Sequence, residues 1–167
     1  MNLTIKTIVV SCLILGATSC TKEETPIATA TATSTATVTP AAQTKTELLT
    51  DANWEITAAT RNPGFTDPLT GAVITDILSF TPACEKDGFT LFNTNGNYTE
   101  DEGALKCDPL DPQTTTGTWA FDSTEEILIF DGTDSVDIQL LSATTLILSE
   151  TESILPDTTF TITYTKQ

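Results

Sequence analysis

The chain contains no histidine, and no other feature of the composition removes as much chemistry. Imidazole is the commonest general base near neutral pH, the commonest metal ligand, and the partner that activates serine or cysteine nucleophiles. Most familiar hydrolase arrangements go with it. Basic residues are scarce as well: 7 Lys and Arg stand against 23 Asp and Glu in 167 residues, a formal net charge of -16. A surface of that sign repels nucleic acid and anionic headgroups, because the basic patch that would neutralise phosphate is missing. No nucleic-acid partner is expected. Long apolar runs are lacking too. The one candidate, from Ile8 to Ala17, falls short of the ~20 residues that a bilayer-spanning helix requires.

What is present begins with an export signal. Lys6, the apolar run and the small residues Thr18 and Ser19 lead directly to Cys20, which favours a cleaved signal over residues 1–19 rather than a transmembrane anchor. The stretch Ala17-Thr18-Ser19-Cys20 resembles a bacterial lipobox, with Ala17 where leucine is usual. That resemblance implies cleavage before Cys20 and acylation of its thiol, palmitate included; an ordinary secretory signal is the alternative. Several acyl chains on one residue anchor stably where a single chain does not. Thr21-Lys22-Glu23-Glu24 looks like the short Lys-plus-acidic tag of Bacteroidota lipoproteins, which implies the outer face of the outer membrane, with the periplasmic face as the alternative. From Thr25 to about Thr46, within the span 20–46, the composition then collapses to Thr, Ala, Pro and Ser. With no large side chains to bury, such a segment cannot offset the entropy of ordering and reads as a disordered tether with a reach of roughly 25 Å.

The folded domain is expected over 47–167. Arg61, Lys86, Lys106 and Lys166 are its only basic residues, and of the acids only Glu23 and Glu24 precede it. Its pattern is strand after strand with no sustained helical period. Trp54, Ile56 and Ala58 alternate with polar residues, and a Pro- and Gly-rich connection follows from Arg61 to Asp87, containing Ile74–Phe80 as a short helix or a strand. Phe89–Asn93 and Asn97–Glu102 form a hairpin joined at Asn95-Gly96, a dipeptide suited to positive φ. Thr116–Phe121, Glu126–Phe130, Val136–Leu140, Thr145–Ser149 and Phe160–Thr165 complete the set, joined by short turns such as Asp131-Gly132 and Ser142-Ala143. The fold class predicted is all-β: an antiparallel up-and-down meander of about eight strands. Closing it into a β-barrel hides both edges, and a two-sheet sandwich is the alternative.

Leu48-Leu49-Thr50 leading to Trp54, Cys84-Glu85-Lys86-Asp87, Phe89–Phe92, Asn95-Gly96, Cys107 and Gly117-Thr118-Trp119 resemble the lipocalin-like domain of Bacteroidota lipoproteins over about 47–167. The resemblance implies a small lipocalin-like (calycin-like) barrel with at most a pocket for an apolar small molecule, and no cofactor.

Cys84 and Cys107 are the cysteines left once Cys12 falls in the signal and Cys20 is acylated. In an exported domain they read as a structural disulfide, since a redox pair would want close spacing and basic neighbours. Trp54, Ile56, Phe89, Leu91, Tyr98, Trp119, Phe121, Ile138, Leu140, Phe160, Ile162 and Tyr164 are the candidate ligand-lining residues. At this size the same side chains can simply fill the barrel. Acidic clusters at Glu100–Glu102, Asp108–Asp111 and Asp131–Asp137 lack the spacing of a calcium loop and read as solvated surface. No metal or catalytic residue is assigned, and a glycosidase pair cannot be picked from so many carboxylates. Asp122-Ser123-Thr124, Asp134-Ser135-Val136 and Asp157-Thr158-Thr159 resemble the Bacteroidota O-glycosylation pattern. The function expected is a non-enzymatic lipoprotein whose partners are the membrane, through its anchor, and a small hydrophobic ligand. The runner-up is a structural or interaction module of the cell envelope with a filled barrel.

Overall fold

The computed structural model describes residues 42–50, 52–153 and 156–167. The predicted signal, Cys20 and nearly all of the tether lie outside the described residues, nearly all of which belong to the compact unit Gln43–Gln167. It opens with a short helix, α1 (Lys45–Thr50). Nine strands follow: β1 (Asn53–Thr66), β2 (Val73–Asp76), β3 (Phe89–Phe92), β4 (Asn97–Asp101), β5 (Thr114–Phe121), β6 (Ile127–Phe130), β7 (Asp134–Leu141), β8 (Thr145–Glu152) and β9 (Thr158–Lys166).

Helix α1 forms because Thr44 and Glu47 cap each other. The Glu47 amide donates to Thr44 Oγ1 at 3.2 Å, and the Thr44 amide donates to Glu47 Oε2 at 2.8 Å. This is a Thr-x-x-Glu capping box, which satisfies backbone donors that a first helical turn leaves without partners.

All neighbouring strands from β3 to β9 pair antiparallel in chain order. The sheet closes because β1 is long enough to serve two neighbours: Asn53–Glu55 pair with β3, while Trp54–Asn62 pair with β9. The result is a closed eight-stranded barrel, so the barrel and not the sandwich is the solution adopted. Strand β2 pairs with the far half of β1, on the edge that β3 occupies at the near half. The ambiguous stretch Ile74–Phe80 divides between this strand and a 3₁₀ turn at Leu78–Phe80.

Two bulges decide which residues face inward. Opposite β9, one extra residue at Thr57 lies between Ile56 and Ala58, so the inward set changes from Trp54 and Ile56 to Ala59 and Arg61. Opposite β8, Gln139 is the extra residue, and Leu141 rather than Leu140 faces Leu146 across the strands. A one-residue insertion reverses every later side chain, because the strand period is two.

The hairpin turns also differ from the dipeptide expectation. At 93–96 only Gly96 has positive φ (83°), and its amide donates to the Asn93 carbonyl at 3.1 Å. At Asp131-Gly132 both residues have positive φ (49° and 74°), the pattern of a type I′ turn.

The apolar core gathers at the α1 end. Leu49, Trp54, Phe92, Tyr98, Trp119, Leu128, Leu146 and Leu148 form one buried cluster. The Trp54 indole donates to the Leu49 carbonyl at 2.8 Å, which fastens α1 to β1, and Lys45 Nζ donates to the Glu125 carbonyl in the β5–β6 turn. At the opposite end, Cys84 and Cys107 form a disulfide with their Cα atoms 5.2 Å apart, joining the β2–β3 connection to the β4–β5 loop.

Candidate functional site

Pairing registers sort the candidate lining residues without ambiguity. Leu146 and Leu148 are buried, so their cross-strand partners Tyr164 and Ile162 share the inner face, and Phe160 follows by alternation. Trp54, Ile56, Tyr98, Trp119, Phe121 and Ile138 are inward by the same reasoning. Three candidates are not. Phe89 and Leu91 alternate with Thr90 and Phe92, and Phe92 is the buried one, its ring 5.8 Å from Trp119 in an edge-on arrangement. Leu140 is turned outward by the bulge and is 44% exposed. The sequence Phe89-Thr90-Leu91-Phe92 allows either parity, and the aromatic cluster of Phe92 with Tyr98, Trp119 and Phe130 selects the second.

The acidic clusters do ordinary structural work. Asp122 accepts from the Thr124 hydroxyl at 2.7 Å and from the amides of Thr124, Glu126 and Ile127, and these bonds, the Thr124 hydroxyl foremost, hold its carboxyl down to about 2. Asp101 accepts from the Gly103 amide and from Gln113 Nε2. Asp87 Oδ2 accepts from the amides of Ala104 and Leu105. Among the described residues no group of three or more Cys, Asp or Glu is placed to hold a metal ion. Of the glycosylation-like patterns, Thr158 is buried and donates to the Pro156 carbonyl, which closes it to modification in the folded domain, whereas Ser123 and Ser135 are exposed.

Three acids depart from that pattern: Asp87 Oδ1 and Glu102 Oε2 are buried without a hydrogen-bond partner among the described residues, and Glu100, which sequence reasoning missed, faces inward. In register Glu100 lies between Thr90 and Thr115, on the face that carries Trp54 and Tyr98. Its Oε2 accepts from the Thr115 hydroxyl at 3.2 Å, and burial, only partly opposed by that bond, raises its carboxyl above the usual carboxylate range. Two tyrosines sense its charge. Burial, then Glu100, pushes the Tyr164 phenol up to about 12, and Tyr98 is raised by burial, Glu100 and Asp131 in that order. The Tyr98 hydroxyl donates to Asp131 Oδ2 at 3.2 Å. Its ring lies against Gly117 so closely that a Cβ there would come within 2.5 Å of it.

This region adjoins a low stretch of the barrel wall. Strand β6 pairs with β5 only at Trp119–Phe121, so Thr114–Gly117 have no ladder partner on that side among the described residues. The β6–β7 turn ends beside Thr118, where the Thr118 amide donates to Asp131 Oδ1 at 2.7 Å. Around the same end of the barrel stand Phe65, Leu69, Val73, Phe80, Leu105 and Leu110, which with Leu140 are the exposed large apolar side chains of the described residues.

No family model matches the chain, and no curated protein matches it. The site is therefore defined by its own geometry: a barrel interior, aromatic at the α1 end where Tyr98 and Tyr164 join the core, with a half-buried carboxylate beyond Tyr98 on β4.

Proposed function

We propose that the chain is a non-enzymatic, lipid-anchored protein of the bacterial cell envelope, resembling the lipocalin-like lipoproteins, whose barrel holds a small hydrophobic molecule. One observation carries the ligand part. The barrel is closed all round by strand pairing and covered at one end by α1, while apolar side chains stand exposed around the other end. A one-ended apolar cup suits capture of a small molecule from solution or from a membrane surface. The anchoring part rests on Cys20 following its apolar signal and on the tether after it, and the Lys-plus-acidic stretch Thr21-Lys22-Glu23-Glu24 supports the outer face of the outer membrane.

Titration with the neutral probe N-phenyl-1-naphthylamine tests the ligand part, with energy transfer from Trp54 and Trp119 as the readout. A saturable signal is expected, and a response no greater than that of buffer would sink it. Labelling with radioactive palmitate tests the anchor: the label should be lost in Cys20→Ser.

A second reading is favoured by the packing at the α1 end, where Trp54, Leu49, Leu128 and Leu146 are fully buried. There the barrel is filled by its own side chains, as a purely structural or interaction module would be throughout.

A further inference from the structure

We infer that the barrel interior selects a cationic ligand, a protonated amine on an apolar body, with Glu100 as its counter-ion. The inference rests on the ligand-binding reading above and names the chemical class it would take. Glu100 faces inward, and the groups acting on it are the Thr115 hydroxyl and Asp131, neither of which brings positive charge. Two cations face inward: Lys166, opposite Trp54 with its Nζ 5.9 Å from that ring, and Arg61, which β1 turns inward beyond its bulge and whose guanidinium is already engaged. That guanidinium lies 5.4 Å from the Phe65 ring and 5.7 Å from the Phe160 ring, and Nε donates to the Pro63 carbonyl at 3.2 Å.

Three features around Glu100 suit an ammonium group better than a metal ion. A hard divalent cation needs six or more oxygen ligands, and one carboxylate beside aromatic rings does not provide them. Aromatic faces attract organic cations. The Tyr98 ring is next to Glu100 on the same strand face, and the Phe130 ring meets it edge-on at 5.4 Å. The third feature is the Tyr164 hydroxyl, which has no hydrogen-bond partner among the described residues although its ring packs against the core. That oxygen is free to accept from an ammonium N–H, and the ligand's alkyl part would meet the aromatic cluster toward α1. Burial already disfavours the Glu100 carboxylate, and an incoming cation relieves that penalty, so charge recognition and apolar burial act together.

The experiment uses three probes of equal chain length, octylammonium, octanol and octanoate, titrated calorimetrically into the folded domain at physiological salt. Octylammonium should bind about tenfold tighter than octanol, the scale of one charge-assisted hydrogen bond in a partly buried place, and octanoate more weakly than both. Glu100→Gln should reduce octylammonium to the affinity of octanol while leaving octanol unchanged. Asp137→Asn, the same charge change on the outer face, should leave the preference intact, which separates a specific site from attraction to an acidic surface. Equal affinities for all three probes would overturn the inference while sparing the cup. So would tighter octanoate binding, or an undiminished preference in Glu100→Gln. Failure of all three probes to bind would overturn both.

Discussion

Half-burial beside Thr115 gives Glu100 a folded-state pKa above its ordinary value, and the sign of its effect on stability follows directly. Between the unfolded and folded values the folded protein binds the extra proton, so this group's contribution to stability falls as pH rises through that window. Below the unfolded value the penalty is absent; above the folded value it is fully present. Glu100→Gln, which keeps an acceptor for Thr115, should therefore raise the melting temperature at pH 7, and the two curves should converge on acidification to about pH 4. Comparing variant with parent cancels the repulsion shared by all the other carboxylates. Equal melting temperatures at pH 7 would show that the carboxylate is solvated after all. In the sequence, Tyr98 and Glu100 do sit two apart on one strand face. Tyr98 reads as a candidate lining residue, whereas Glu100 reads as part of a solvated acidic run because Asp101 and Glu102 follow, and composition cannot say which member of such a run turns inward. Only the register with the buried Phe92 and Tyr98 supplies that.

At the scale of elements, most strands and their phase were legible, and the exceptions are the phase of β3 and of the stretches beyond the bulges. Alternation located β4 to β9 to within a few residues, because each inner face demands apolar residues at period two. The bulges at Thr57 and Gln139 leave no local signature, since Val136, Ile138 and Leu140 alternate as regularly as an unbroken strand would. It is packing against Leu146 that brings in Leu141 and turns Leu140 out. Helix α1 was readable, through Thr44-x-x-Glu47, but it borders a Thr-rich tether in which one more Thr carries little information. Its importance exceeds its six residues, because Leu49 contributes both a fully buried side chain and the carbonyl that holds the Trp54 indole. Leu49→Ala should cost about 2–5 kcal/mol in urea unfolding, as for other buried leucines. Tryptophan emission should shift to the red as Trp54 gains water. A cost below about 1 kcal/mol, the scale of a surface substitution, would show that α1 only rests on the barrel end.

For the whole molecule, the up-and-down order followed from short turns alone, and closure followed from a length that the sequence conceals. β1 runs for 14 residues through Pro63 and Gly64, which read locally as a break, and only a strand of that length can pair with β3, β2 and β9 together. Closure leaves the long connections at one end of the barrel, and there the Cys84–Cys107 bond joins two of them across a sequence separation of 23. A crosslink of that span limits the unfolded chain by about 3 kcal/mol in the chain-entropy model. The domain over 47–167 must also bear the mutual repulsion of 21 acidic side chains set against four basic ones, which draws on the small net stability that any domain has. The Cys84→Ala, Cys107→Ala double variant should melt roughly 10 °C lower than the oxidised parent, and reduction of the parent should reproduce most of that loss. Both cysteines lie in connections outside the barrel wall, so the affinity of the interior for N-phenyl-1-naphthylamine should stay the same below the melting transition. An unchanged melting curve would mean that the barrel carries its own stability. Lost probe binding with the fold intact would mean that the tied loops themselves form part of the ligand site.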